Sequence, residues 1–600
     1  MSLVSSKEIA KVLNINKFGF VGSAIGWLFL KVLGISRLNK IYDRTKNLDK
    51  NTFLDTLIEE FQINFEIPKE DLKRLPKTGP FITISNHPLG GIDGILLLKL
   101  LAESHPDFKI LANFILLKID PIKESVLPVN PFEGKKAENV SSFKGLKMAL
   151  QHLKEGHSLG IFPAGEVSTY NNDMVIQDKP WELSAVKFIK QAQVPVVPIC
   201  FHAKNSSLFY MLAKISSTLR TAKLPSELLT QKSRTIKVRI GKPILLKDQE
   251  NFTDLNKFSD FLRMKTYVLA NPYKRGPVKI TAPSLKFPSH PKTIVSAVCS
   301  AELNEEIDNL RASDGVLLTS KNYSVFLAES NQIPCTLREI GRLREITFRT
   351  IGEGTNKAID LDTCDNYYRH MFLWDNEAKR VVGAYRMGFG DEIYNKYGIE
   401  GFYVNELFGF EQELHPMLSK TIELGRAFII NEYQQRPMPL FLLWKGIVHV
   451  TLRYPNLKYL LGGVSISNKF SNFTKSLMIE FMKSNYYDPY IAQYVHPKKE
   501  YKVRLKDEHK DFIFDASKAD MNKFDKIIDE IEPGSLRLPV LLKKYVKQNA
   551  RLIAFNVDPK FNNAIDGLMY IRIADLPEST VKPVMEEFQA DLERKLNEKS

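Results

Sequence analysis

The sequence predicts an α/β protein built as two successive domains, each a sheet covered by helices. Three observations predict it. The chain has 600 residues with 44% hydrophobic and 26% charged side chains, too long for one ordinary domain and apolar enough to bury cores. Short apolar runs alternate with helical patterns in both halves, the signature of sheets with crossover helices. Between the halves, Pro272, Pro277, Pro283, Pro288 and Pro291 fall in a stretch with few large aliphatic residues, which places a linker there.

The elements follow in order. Residues 1–50 hold a charge-free apolar stretch at 18–30, flanked by Lys7, Lys11, Lys17, Lys31, Arg37, Lys40, Arg44, Lys46 and Lys50. The stretch falls short of the roughly 20 residues that span a bilayer. It fits a helix lying in the headgroup region with basic anchors, or a core helix capping the first domain. The first domain is expected over 51–271, with apolar runs at 81–85, 108–113, 158–162 and 194–201 and helical patterns at 94–103 and 141–156. Ser141 can cap the second helix and Gly156 can end it. The linker covers 272–300, the second domain 301–580, and a charged helix or tail 581–600. The second domain restarts with a helix near 302–312 and alternates again through 381–389, 459–467 and 552–557.

The 84 Lys and Arg against 69 Asp and Glu give a formal charge of +15, which suits nucleic acid, acidic headgroups or an acidic carrier protein. No nucleic-acid signature is visible, so no nucleic-acid partner is expected. The four cysteines, Cys200, Cys299, Cys335 and Cys364, are scattered and form no disulfide framework or zinc-like pair. A reducing cytosolic compartment is expected.

The run Ser85-Asn86-His87-Pro88-Leu89-Gly90-Gly91-Ile92-Asp93-Gly94 follows a strand pattern, so Asn86 and His87 are delivered at a strand end. A histidine there can take a proton from a hydroxyl, and Asp93 can hold its imidazole in one tautomer. Gly90 and Gly91 would let backbone amides approach a developing oxyanion. A second run, Phe162-Pro163-Ala164-Gly165-Glu166-Val167-Ser168, also follows a strand, and Val194-Pro195-Val196-Val197-Pro198-Ile199 comes some thirty residues later.

In that order and spacing the blocks resemble those of the glycerolipid, PlsC-type, acyltransferases over roughly residues 60–245. The resemblance implies an acyl thioester donor, a lipid acceptor, no metal, no cofactor and a His-Asp relay on His87 and Asp93, with Asn86, Gly90, Gly91, Phe162, Pro163, Gly165 and Glu166 around the substrate. Two departures matter. Five residues separate His87 from Asp93 where the family usually has four. The block that commonly grips phosphate with arginine has none here, and neither does Val126-Leu127-Pro128-Val129-Asn130-Pro131. Bidentate arginine is the favoured grip on phosphate, so an acceptor without phosphate, such as a lyso-lipid with an amino-acid headgroup, is expected. Lys123, Lys135, Lys136 or Lys204 could substitute for the missing arginines.

In the second half Arg349, Asp360, Asp362 and Asp365 precede Val381-Val382-Gly383-Ala384-Tyr385-Arg386, then Glu406-Leu407-Phe408 and Glu423-Leu424-Gly425-Arg426. This order resembles the GNAT-like, hemolysin-type N-acyltransferases that make lyso-amino-acid lipids, and more distantly the acyl-homoserine-lactone synthases. The resemblance implies amide formation, with Glu406 as the base and Arg349, Arg386, Glu423 and Arg426 around the substrate or the acidic carrier. No glycine-rich phosphate loop is visible. Acyl-carrier protein is the expected donor, with a CoA thioester as the alternative.

As a whole the chain resembles the bifunctional ornithine or glycine lipid synthases. That implies a C-terminal half that N-acylates an amino acid and an N-terminal half that O-acylates the product, peripheral on the cytoplasmic face of the inner membrane. Two rivals stand beside it: a monofunctional 1-acylglycerol-3-phosphate acyltransferase with a regulatory C-terminal half, and a non-catalytic membrane-binding protein.

Overall fold

The computed structural model describes residues 27, 28, 31, 34–129, 139–171, 175–215, 217–230, 234–273, 291–505, 520–533 and 536–597. Most of the apolar stretch 18–30, the linker residues 274–290, and Lys135 and Lys136 lie outside them. The chain divides into two compact units, Met1–Arg275 with Ile527–Leu536, and Gly276–Lys526 with Arg537–Ser600.

The first unit is built on seven strands: β1 (Asn64–Glu66), β2 (Ile82–Ser85), β3 (Lys109–Asn113), β4 (Val126–Val129), β5 (Leu159–Ile161), β8 (Val196–His202) and β9 (Thr235–Ile240), with a small hairpin of β6 (Thr169–Tyr170) and β7 (Ile176–Gln177). The sheet order is β1-β9-β8-β2-β5-β3-β4, and β2, β3, β4, β5 and β8 run parallel. Parallel strands are covered on both faces, which is why β2 and β5 read as continuous buried runs rather than alternating ones. β2 lies between β5 and β8, and the chain leaves it toward β3 on one side and returns to β8 on the other. The carboxyl end of β2 therefore opens on a crevice where ligands bind in such sheets.

Helix Gly91–Leu101 buries Ile92, Leu96, Leu97 and Leu101 against this sheet. Helix Asn139–Lys154 starts two residues before Ser141, so Ser141 lies inside it rather than capping it. Gly156, with φ 92°, makes the turn that follows. Gly145 allows this helix to press on β4, since a Cβ there would stand 1.9 Å from the Pro128 carbonyl oxygen.

One buried ion pair fastens the far edge. Asp71 accepts from Arg239 Nε at 2.6 Å and from the Ile240 amide at 3.0 Å, and both side chains are fully buried. Arg239 also donates to the Ile531 carbonyl at 2.8 Å, which ties the segment Ile527–Leu536 into this unit.

The second unit carries β10 (Val316–Ser320), β11 (Tyr323–Ala328), β12 (Arg369–Asp375), β13 (Arg380–Phe389), β15 (Thr421–Ile429), β16 (Tyr459–Ile466), β18 (Arg551–Asp558) and β19 (Ala564–Arg572). β14 (Phe408–Phe410) pairs separately with β17 (Val495–Pro497). The large sheet has the order β10-β11-β12-β13-β15-β16-β19-β18 and is antiparallel except for β15 against β16. Those two pair only from Thr421 and Tyr459 to Leu424 and Gly462. Helices Pro334–Ile351 and Pro437–Arg453 cover the sheet, the second burying Leu442, Leu443, Trp444 and Ile447. Among the described residues no helix is long and apolar enough to cross a membrane.

Removing one partner of a buried pair strands the other charge. Asp71→Ala is expected to lower the stability of the first unit by about 3–5 kcal/mol, read as a reduced urea midpoint at unchanged slope.

Candidate active site

In the first unit β2 ends at Ser85, and Asn86 prolongs its pairing with β8 by side chain. Its Nδ2 donates to the Phe201 carbonyl at 2.9 Å and its Oδ1 accepts from the Phe201 amide at 2.7 Å. His87 is thereby set at the mouth of the crevice. The backbone then turns through Gly90, whose φ of 77° suits glycine and whose missing Cβ leaves room for Leu224. Gly91 opens the following helix.

The turn brings Asp93 back to His87. Asp93 Oδ2 lies 3.0 Å from His87 Nδ1 and accepts from the amides of Leu89 at 2.8 Å and Gly90 at 3.0 Å. Asp93 is fully buried, and that burial pushes its carboxyl above the ordinary range, against the opposing pull of His87 and the two amides. With Nδ1 facing Asp93, Nε2 is the ring nitrogen left open. The His87 side chain remains 19% exposed, enough to meet a substrate.

The block after β5 forms the neighbouring wall. The Phe162 ring lies on the imidazole with centroids 4.3 Å apart. Gly165, with φ 67°, closes a tight turn by donating to the Phe162 carbonyl, and the Pro163 carbonyl accepts from the Glu182 amide. Asp178 holds this wall to the histidine loop. It accepts from the His87 amide at 3.2 Å, the Ser168 hydroxyl at 2.5 Å and Trp181 Nε1 at 3.3 Å.

Glu166 binds two cations, Lys179 at 2.5 Å and Arg220 at 2.6 Å. Burial would raise its carboxyl, but these partners outweigh it and hold it below the ordinary range. Arg220 comes from helix Ser217–Glu227, far along the chain, and Asp178 likewise belongs to none of the sequence blocks. Their spacing in sequence carried no signal. Lys123, by contrast, pairs with Asp120 on the surface at 3.2 Å.

In the second unit three arginines and three aspartates form a largely buried network. Arg344 binds Asp360 at 2.8 Å and Asp365 at 3.0 Å, and Arg386 binds Asp362 at 2.6 Å and Asp365 at 3.3 Å. Arg426 reaches Asp362 at 3.3 Å and Asp360 at 3.8 Å. Burial alone would raise Asp365, but Arg344 and Arg386 hold it well below the ordinary range. Burial likewise opposes the charge on Arg386, and Asp365 and Asp362 more than restore it. Tyr403 packs its ring against Arg386 and Arg426, each 5.0 Å away.

Glu423 is buried and pushed up to about 7 by that burial, against the opposing effects of Tyr368 and Arg386. It accepts from the Tyr368 hydroxyl at 2.6 Å and from the amides of Tyr403 at 3.2 Å and Val404 at 3.0 Å. Arg386, Glu423 and Arg426 are thus gathered by the fold. Two other expected residues stand apart. Glu406 is on the surface, 47% exposed and paired with Lys560 at 2.6 Å. Arg349 binds Glu345 at 2.7 Å and the carbonyls of Lys292 and Lys357. Arg344, Tyr368 and Tyr403 join the network without having been singled out from sequence; the Arg344 spacing of sixteen and twenty-one residues to its partners is no helical or strand period.

Comparison with known proteins bears on both units. The acyltransferase family matches residues 10–276, and the acetyltransferase (GNAT) domain family matches residues 343–444. The lyso-glycine lipid O-acyltransferase of Bacteroides thetaiotaomicron is 30% identical over 222 residues, 36% of this chain and 78% of that protein. The glycine N(alpha)-acyltransferase of Phocaeicola vulgatus is 28% identical over 277 residues, 44% of this chain and 81% of that protein. Among solved structures, the 1-acyl-sn-glycerophosphate acyltransferase PlsC of Thermotoga maritima is 15% identical, covering 39% of this chain and 90% of that one, with a TM-score of 0.23.

Asn86→Ala is expected to cost about 2–6 kcal/mol in urea unfolding, because two buried backbone groups of Phe201 lose their partner at about 1–3 kcal/mol each.

Proposed function

Because the chain belongs to the acyltransferases, with an acyltransferase region followed by a GNAT domain, we propose that it builds a diacylated amino-acid lipid in two transfers. The C-terminal unit joins a 3-hydroxyacyl group to the amine of an amino acid. The N-terminal unit then esterifies the hydroxyl of that product with a second fatty acyl group. The observation that carries this is the His87–Asp93 pair at 3.0 Å, a candidate base with its Nδ1 against a buried carboxylate. Arg220 reaches the wall, but Glu166 already holds it. A phosphate-bearing acceptor would have to break that pair.

His87 Nε2 takes the proton of the hydroxyl as its oxygen attacks the thioester carbon, and Asp93 stabilises the imidazolium that forms. The C–S bond then breaks and the thiol leaves with the proton. Glycine is the favoured headgroup, because the two relatives are named for glycine and lyso-glycine lipid. An acidic carrier protein is the favoured donor, since a net charge of +15 would steer it.

The mono-acylated intermediate and the diacylated product partition to lipid, so on this reading the protein works at a membrane surface. Helix Ser207–Ile215 supports that role: Leu208, Met211 and Ile215 are 47%, 55% and 68% exposed, and it packs beside the helix that supplies Arg220.

In a host that lacks amino-acid lipids, the wild type is expected to yield mono- and diacylated glycine lipids by mass spectrometry. His87→Ala should retain the mono-acylated species and lose the diacylated one by roughly 100-fold or more. A change confined to phosphatidate species would refute the two-step scheme. In flotation with anionic vesicles, Met211→Glu combined with Ile215→Glu should lower the bound fraction several-fold, whereas unaltered binding would exclude this face as the docking surface.

A further inference from the structure

β15 and β16 part after Leu424 and Gly462. Beyond that point β15 stays with β13 and β16 with β19. Arg426 is the second residue past the last pair, and its φ of 51° lies in the left-handed region. A non-glycine residue held there costs of order 1 kcal/mol, which the surrounding structure must offset. The Arg426 side chain is nine-tenths buried and its Nε has no hydrogen-bond partner. Its guanidinium lies 4.6 Å from the Phe561 ring, in the turn that follows Asp558.

Three carboxyl groups face the same place. Asp558 ends β18, Asp566 sits on β19, and Glu353 follows helix Pro334–Ile351. Asp566 stands opposite Ser465 on one side and Asn556 on the other. Ser465 Oγ donates to Glu353 at 2.8 Å, which sets Glu353 beside that register. Asp558 accepts from the Lys560 amide at 2.7 Å. The Asp566 carboxyl has no hydrogen bond or ion pair among the described residues. Burial pushes it up to about 8, with Asp558 and Glu353 adding to the shift and Arg426 opposing it. Burial also raises Asp558 and Glu353, whose nearby cations are Lys560 with Arg426, and Lys469. Lys560 is itself committed to Glu406.

Carboxyl groups brought to one stretch of the sheet by this register, beside a guanidinium whose Nη2 meets Asp362 and whose Nε is unpartnered, match a ligand that carries both charges. We infer that Asp566, with Asp558 and Glu353, receives the ammonium group of a zwitterionic α-amino acid while the Arg426 Nε hydrogen meets its carboxylate, and that Asp566 takes the ammonium proton. This rests on the N-acylation proposed above. Glu423 does not compete for the role, since its two oxygens already accept three hydrogen bonds.

The transfer balances. The ammonium gives one proton to the Asp566 carboxylate, and the neutral amine attacks the thioester carbon to form the C–N bond. The C–S bond breaks, the thiolate leaves with the second nitrogen proton, and Asp566 returns its proton to water. A group that titrates near 8 is matched to this work at neutral pH.

The test measures N-acylation of glycine by the full-length enzyme, with the 3-hydroxypalmitoyl thioester of acyl-carrier protein, between about pH 6 and 9. Wild-type kcat should rise with pH to a plateau with a midpoint near 8. Asp566→Asn keeps the shape of a carboxyl that is largely protonated at neutral pH, so its melting temperature should hold. Its kcat should fall by roughly 100-fold on the plateau, the rise with pH should flatten, and the KM for the thioester should stay the same. Asp566→Glu should recover part of the rate together with the pH rise. Methylamine, which lacks the carboxylate, should be a poor acceptor. An Asp566→Asn enzyme with the wild-type rate and pH profile overturns the inference, as does a uniform loss of rate that leaves the rise with pH intact. A wild type that acylates no amino acid at any pH overturns instead the N-acylation on which the inference rests.

Discussion

One carboxylate oxygen organises the first unit's candidate site. Asp93 Oδ2 meets His87 Nδ1 and the amides of Leu89 and Gly90. The two amides close the turn that carries the histidine, and the same oxygen orients its ring. Loop geometry and tautomer therefore depend on one group, so neither can shift without the other. The fully buried position costs desolvation, which the three contacts offset only in part, and only while the turn stays closed. Gly90 and the amide of Asn86 act on the same constraint from either side, one by admitting the turn and one by fixing where it begins.

The second unit reaches rigidity by a different route. Arg344 and Arg386 are each about 1% exposed, and each is bound to two aspartates. Buried ion pairs gain little net stability, because desolvation consumes most of the attraction. Their value here is positional. Opposed charges hold β13, β15 and the segment around Asp360–Asp365 in one arrangement, so that Arg426 and Glu423 are set before any ligand arrives.

Much of this was legible in the sequence, for identifiable reasons. The buried parallel strands stand out as uninterrupted apolar runs, and the expected strands at 381–389, 459–467 and 552–557 correspond to β13, β16 and β18. His87 and Asp93 were legible because a glycine turn brings near neighbours together, and the extra residue between them is absorbed by that turn. Long-range partners were not. Nothing about residue 220 in sequence says that it meets Glu166, and nothing distinguishes the Glu406 carboxylate from that of Glu423 until one is exposed and the other buried. Asp566 was invisible for the same reason: an aspartate in a strand becomes unusual only through the neighbours that adjoining strands bring to it.

On the two-transfer reading proposed above, the contrast between the two sites follows from what each acceptor must lose. A hydroxyl is neutral and keeps its proton until attack is under way, so its base must be aligned with the oxygen as the bond forms. A histidine fixed by one carboxylate does this, and it tolerates the solvent contact that a 19% exposed side chain implies. An amino acid arrives as an ammonium and must surrender a proton before its nitrogen can attack at all. That calls for a resident anion whose proton affinity is raised by burial and like charge, with a cation nearby to keep the acceptor's carboxylate from repelling it. A raised carboxyl beside a buried arginine is the arrangement found where β15 and β16 part. Neither environment could serve the other reaction without losing the feature that suits its own, which gives a physical reason for one chain to carry two separate sites.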